Sequence, residues 1–190
     1  DLPARPPKLC SPPCARPVSG QPDHSASWTA ASRRRSATRK SDIEMISSKP
    51  TLSAVHAREM IETSKSKATA LNVPCSIAVI GPDGYLLAFE REDGAMSGSV
   101  ELAINKAFTA QIFNNATDML SVLAQSGAEL YGIQHSHNGR VVVFGGGIPI
   151  QFQGQAIGAI GVSGGTVAED VAIAEAGAGI LADLLVPARS

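Results

Sequence analysis

Apolar positions between residues 51 and 187 recur first at helical spacing, then at strand spacing, and the switches mark the elements. Ala54, Ala57, Ile61, Ser64, Ala68 and Leu71 recur at intervals of three and four, which predicts a helix from a Thr51 cap to Leu71. Asn72 ends it, and Val73-Pro74 forces the chain into extended conformation. Cys75–Ile80 is a continuous apolar run and reads as a strand. Gly81-Pro82-Asp83-Gly84 supplies a turn, and Tyr85–Arg91 reads as the return strand of an antiparallel hairpin. A second helix is predicted over Ser99–Phe113, with Val100, Ala103, Ala107 and Ala110 as a small-residue face able to lie close on a sheet. Lys106 is placed one residue off that face. Thr117 caps a short helix ending near Ser126-Gly127, and residues 128–139 read as irregular, with a short extra strand near Leu130.

The chain then reaches its most glycine-rich part, Arg140–Gly165. Val141–Phe144 is a β-branched run and reads as a strand that stops at Gly145, Gly146 and Gly147. Ile148-Pro149-Ile150 resumes extended chain, Gln153-Gly154-Gln155 turns it, and Ala156–Val162 forms a second apolar strand. Gly158 and Gly161 interrupt that strand, where glycine weakens a sheet unless something approaches its backbone closely. Thr166-Val167-Ala168-Glu169 opens the last helix with a capping-box pattern. Val167, Val171, Ala174, Ala178, Leu181 and Leu185 give it an apolar stripe, and Pro187 marks its end. The element order predicts an α+β domain with an antiparallel sheet and helices packed on it.

Composition divides the chain. Residues 1–44 hold seven of the twelve prolines and one of the eighteen glycines, with a charge of +4, whereas residues 45–190 carry −5. The first part lacks the apolar surface to offset the entropy of ordering it, so a disordered leader over 1–44 and one domain over 45–190 are expected. The leader is read as added or upstream sequence ending before Met45, or as a targeting segment built on Arg33-Arg34-Arg35 and Arg39-Lys40. A net charge of −1 gives no reason to expect nucleic acid, and no apolar run is long enough to span a bilayer. The expected location is cytoplasmic, or organellar if the leader is a transit segment. Cys10 and Cys14 lack a second ligand pair for zinc, and Cys75 reads as a small buried hydrophobe.

Several blocks, in order, carry a family resemblance. They are Val79–Gly84, Arg91–Ala95, Ala103–Ala110, Phe144–Pro149, Gly158–Gly164, and Glu169-Asp170 followed by Ala174–Gly177. Over about residues 50–186 the chain resembles the GlcG/HbpS-like family, which includes haem-binding proteins and the C-terminal domain of PduO-type corrinoid proteins. The resemblance implies a profilin-like fold, assembly into symmetric oligomers (a dimer or a higher even number), and binding of haem or a related tetrapyrrole in some members. The expected function is therefore an oligomeric tetrapyrrole-binding protein with an accessory or sensing role. The alternative is a small-molecule enzyme (isomerase, lyase or hydrolase) acting on an organic acid, with Asp93, Glu175 or a histidine as acid–base group.

Three groups of residues are candidates for chemistry. Arg91 and Lys106, with Asp93, could meet a carboxylate-bearing ligand, the Arg as a planar fork and the Lys as a point charge; otherwise they form internal pairs, Arg91–Asp93 or Lys106–Glu101. His135 and His137 would point to one side of an extended segment and could ligate a metal or haem iron, or else are solvated loop residues. Gly145, Gly146 and Gly147, with Ser163, could line a ligand site, where close backbone packing or a flat ligand suits them better than phosphate. His56, among charged neighbours, reads as exposed. Small-residue helix faces and only 4% aromatic residues leave the other side or the edges of the sheet to be covered by a second copy.

Overall fold

A computed structural model describes residues 49–181. The leader over 1–44 with its two cysteines, and Leu185 and Pro187, lie outside the described residues. Helix α1 spans Ala54–Leu71; its cap is Ser53, two residues beyond the predicted Thr51, because the Ser53 hydroxyl accepts from His56 N. Asn72 closes the helix in left-handed conformation (φ 55°). Strand β1 (Ser76–Ile80) and strand β2 (Leu86–Arg91) form the expected hairpin. Helix α2 spans Ser99–Phe113 and α3 spans Thr117–Leu123. Strands β3 (Gly147–Phe152) and β4 (Gln155–Ser163) form a second hairpin, and α4 covers Val167–Gly179. The capping box at α4 is complete: Thr166 and Glu169 each bond the other's backbone N–H. That bonding, first from the Thr166 backbone and then from its hydroxyl, holds the Glu169 carboxyl below its ordinary range.

The sheet order is β2-β1-β4-β3, antiparallel throughout. Alternation along the central strands divides their side chains between two layers. Ile77, Val79, Ile160 and Val162 join a core with Met60, Ile61, Ile173 and Ala174 from α1 and α4. Ile80 and Ala159 pack against Ala107 and Ala110 of α2. The sheet is thus covered by helices on both sides, not on one, and each fully buried aliphatic side chain in it contributes about 1.5–3 kcal/mol. Its β2 edge stays open, with Tyr85, Leu86 and Leu87 exposed.

Close approach accounts for both glycines of β4, by Ile80 O and Leu52 at Gly158 and by helix α2 at Gly161. A Cβ on Gly161 would collide with Ala103 O and, at 2.5 Å, with Ala107 N of α2. On the other layer, α1 and α4 meet at Gly177, where a Cβ would strike Ser64 Oγ and come within 2.7 Å of Ile160 Cδ1. Ser64, fully buried, bonds Ile173 O at 3.0 Å.

Two predicted strands are absent among the described residues. Val141–Phe144 is not paired, although Val141 and Val142 are buried. Val142 N bonds the Thr109 hydroxyl of α2 at 2.9 Å, so this apolar run docks on a helix and the strand begins at Gly147. Near Leu130 the chain makes turns, followed by two short 3-10 turns at Ile133–His135 and His137–Gly139.

Candidate functional site

The most deeply placed charge is Lys106. It lies on the buried face of α2 with no solvent exposure, and its Nζ donates to Asp170 Oδ2 at 2.6 Å and to Val162 O at 2.9 Å. The Phe144 ring lies 4.8 Å from Nζ, a cation–π contact. Asp170, in the first turn of α4, uses its other oxygen to accept from Gly165 N at 3.0 Å. One pair therefore ties α2, the end of β4 and the start of α4 together. Burial pushes the Lys106 pKa down, and the hydrogen bond and charge of Asp170 oppose that shift. The glycines beside it are matched to this packing. Gly146 has φ 112°, and a Cβ there would lie 2.7 Å from Val162 O and 2.9 Å from Nζ. A Cβ on Gly147 would meet Lys106 O, and one on Gly145 would lie 2.6 Å from Val171 Cγ2. Ser163 is buried at the end of β4.

A different part of the molecule offers a hollow. Pro50, Thr51, Leu52, His56, Phe152, Ile157 and Leu181 line a groove of about 340 Å³ on the α1 side of the sheet. Its lining is apolar except for Thr51 and the His56 imidazole, which is half-buried. His56 Nδ1 lies 3.0 Å from the Ser53 hydroxyl, the same oxygen that caps α1. In the tautomer where Nδ1–H donates to Ser53, Nε2 keeps a lone pair for an electrophile or a metal ion. Leu52 is fixed in turn by its N–H to Ile157 O at 3.1 Å.

The remaining predicted residues are dispersed. Arg91 closes its own loop: Nε and Nη2 both donate to Ala95 O, at 3.0 and 2.5 Å. It forms no ion pair with Asp93 among the described residues, and Lys106 pairs with Asp170 and not with Glu101. Asp93 lies exposed beside a second hollow, with Glu92, at the end of α1. Glu175 is exposed on α4. The segment holding His135 and His137 is not extended, so alternation does not align them; both are exposed. Among the described residues no three His, Cys, Asp or Glu side chains cluster as metal ligands. Cys75 sits just before β1, where burial and the neighbouring Glu92 carboxylate push its thiol up to about 12.

Sequence reasoning missed Asp170 and the groove around His56. The signal for the first was present: Lys106 is three residues from Ala103 and four from Ala110, so it belongs on their face. Asp170 is likewise four residues before Ala174. A lysine on a buried face demands an acid, and Asp170 stands on the other buried stripe.

A four-stranded antiparallel sheet between helical layers defines a profilin-like α+β domain. Residues 52–179 match the family model for haem degrading protein HbpS-like, and the chain belongs to that family. It is 39% identical over 125 residues to an uncharacterized 15.0 kDa protein from the dhaT–dhaS intergenic region of Citrobacter freundii, covering 66% of this chain and 88% of that protein. It is 36% identical over 124 residues to the corrinoid adenosyltransferase PduO of the same organism, covering 65% of this chain but 37% of PduO. Among solved structures, the PduOC:haem complex aligns with a TM-score of 0.66 at 35% identity, covering 68% of this chain and 94% of that one.

Proposed function

We propose that this protein binds haem or a related tetrapyrrole in the groove on α1, where His56 Nε2 would hold the metal. The observation that carries the reading is a single imidazole, anchored through Nδ1 by Ser53, in an otherwise apolar hollow. Neutral imidazole is a common axial ligand of haem iron, and an apolar lining suits the macrocycle. Similarity to PduOC, solved in complex with haem, supports the same ligand class. Similarity to PduO favours a corrinoid as the second reading, which competition between haem and cobalamin separates.

A groove of about 340 Å³ is at the small end for a drug-sized ligand, so it would grip one part of a flat macrocycle. The rest would be covered by a second copy, and we infer a symmetric homo-oligomer with an accessory or sensing role in the cytoplasm. Exposed Tyr85, Leu86 and Leu87 on the open β2 edge support self-association. Among the described residues no helix is long and apolar enough to cross a membrane. Light scattering at low micromolar concentration tests assembly: a concentration-independent mass of one subunit would remove the shared site. Haem titration of the purified chain, compared with His56→Ala, tests the ligand and its anchor separately.

A further inference from the structure

On the α2 side of the sheet, away from the groove, two basic side chains share one aromatic ring. The Arg140 guanidinium lies 3.7 Å from the centre of the Phe108 ring, and the His137 ring meets Phe108 edge-on at 6.0 Å. His137 also packs edge-on against Phe113 at 5.9 Å. Stacking and packing of this kind fix the two side chains at little further cost in side-chain entropy when a ligand arrives.

What these groups leave free is specific. Arg140 is half-buried, and its Nε donates to Asn105 Oδ1 at 3.3 Å. No carboxylate lies within ion-pair distance of it among the described residues, where the ion pairs involve only Lys65 and Lys106. Its two terminal nitrogens therefore keep the planar fork that matches a carboxylate in two parallel hydrogen bonds. The Ser136 hydroxyl donates to Ile133 O at 2.7 Å and so accepts from His137 Nδ1–H at 2.9 Å, which leaves Nε2.

The backbone holding the imidazole is costly. His137 and Asn138 are consecutive non-glycine residues in left-handed conformation, φ 52° and 58°. Each such residue costs on the order of 1 kcal/mol, and strain of this kind persists where the surroundings over-determine it, often at binding sites. Here the strained turn sets His137 against the ring on which Arg140 stacks.

We propose that Arg140 and His137, mounted on Phe108, form a binding site for a small carboxylate, distinct from the groove that holds His56. The guanidinium fork takes the carboxylate, and the imidazolium form of His137, its Nδ1–H held by Ser136, donates from Nε2–H to it or to a neighbouring oxygen of the ligand. The probes are sodium acetate and sodium benzoate, followed by NMR of the full-length chain, with sodium chloride and sodium phosphate at matched ionic strength. Saturable shifts at His137 and Arg140 with a carboxylate, beyond those with chloride, are expected. Arg140→Lys keeps a charge over Phe108 but loses the fork, and should weaken binding about tenfold or more, the loss of one charge-assisted hydrogen bond. His137→Asn, a residue that tolerates left-handed backbone, should weaken it also. Arg91→Lys should not, because that guanidinium is spent on Ala95 O. Shifts no greater than with chloride, saturation by phosphate alone, or undiminished carboxylate binding in Arg140→Lys would overturn the proposal. None of these outcomes depends on whether the groove takes haem.

Discussion

Replacing Asp170 by Asn isolates the energetics of the buried pair. The amide oxygen can still accept from Gly165 N, so the cap of the β4–α4 junction survives, while the neutral amide nitrogen replaces the oxygen to which Lys106 donated. Removing one member of a buried pair costs about 3–5 kcal/mol. The lysine has one escape, which is to lose its proton. At pH 7 that costs about 4–5 kcal/mol for a group of ordinary pKa, and so caps the penalty at a similar value. The sign of the pH dependence follows. Burial already lowers the Lys106 pKa against the opposing effect of Asp170, and the variant loses that opposition. Over the window from the depressed folded-state value up to the ordinary lysine value, the unfolded chain then binds a proton that the folded chain does not. Stability therefore rises with pH, by up to about 1.4 kcal/mol per unit. Urea denaturation of wild type and Asp170→Asn at pH 7, 8 and 9 reads both effects. We expect a deficit of about 3–5 kcal/mol at pH 7 that narrows towards pH 9, and partial recovery when Lys106→Met is added, since no buried charge then remains. A deficit below about 1 kcal/mol, or one independent of pH, would refute the reasoning, because it would mean that water reaches the pair.

Two further predictions concern packing and reactivity. Gly161→Ala should destabilise by about 3 kcal/mol or more, or prevent folding, because its Cβ has only the rigid backbone of α2 to displace; near-wild-type urea midpoints would contradict the close approach. In a Cys10→Ser, Cys14→Ser background, Cys75 should stay unreactive to a thiol reagent at pH 8 until the protein is unfolded, since burial and Glu92 hold it protonated; rapid native labelling would contradict this.

Much of the fold was legible because periodicity and punctuation agreed. Ser99–Phe113 is found with its predicted bounds, and the β1–β2 hairpin and the Thr166–Glu169 box were written in turn and cap residues. Val141–Phe144 failed because a β-branched run reports burial as readily as strand pairing, and here a helix hydroxyl took its backbone N–H. The glycine density was correctly read as close approach, but only the structure shows what approaches: Ala103 and Ala107 at Gly161, and Lys106 at Gly146 and Gly147. The candidate site was less legible. Lys106 was noticed, but its partner Asp170 lies 64 residues away, a distance no local pattern reports. His56 reads as exposed from the charged residues near it in sequence, whereas its neighbours in space, Phe152 and Ile157, come from the second hairpin.

The proposed function rests on His56 anchoring a tetrapyrrole in the α1 groove. It is tested most directly by titrating haem into the full-length chain and into His56→Ala, recording the Soret band. We expect a saturable shift at micromolar haem for the wild type and a weakened or altered band for the variant, with unchanged urea stability in the absence of haem. No saturable spectrum in the wild type would contradict haem binding itself. An identical spectrum and affinity in His56→Ala would contradict the assigned ligand.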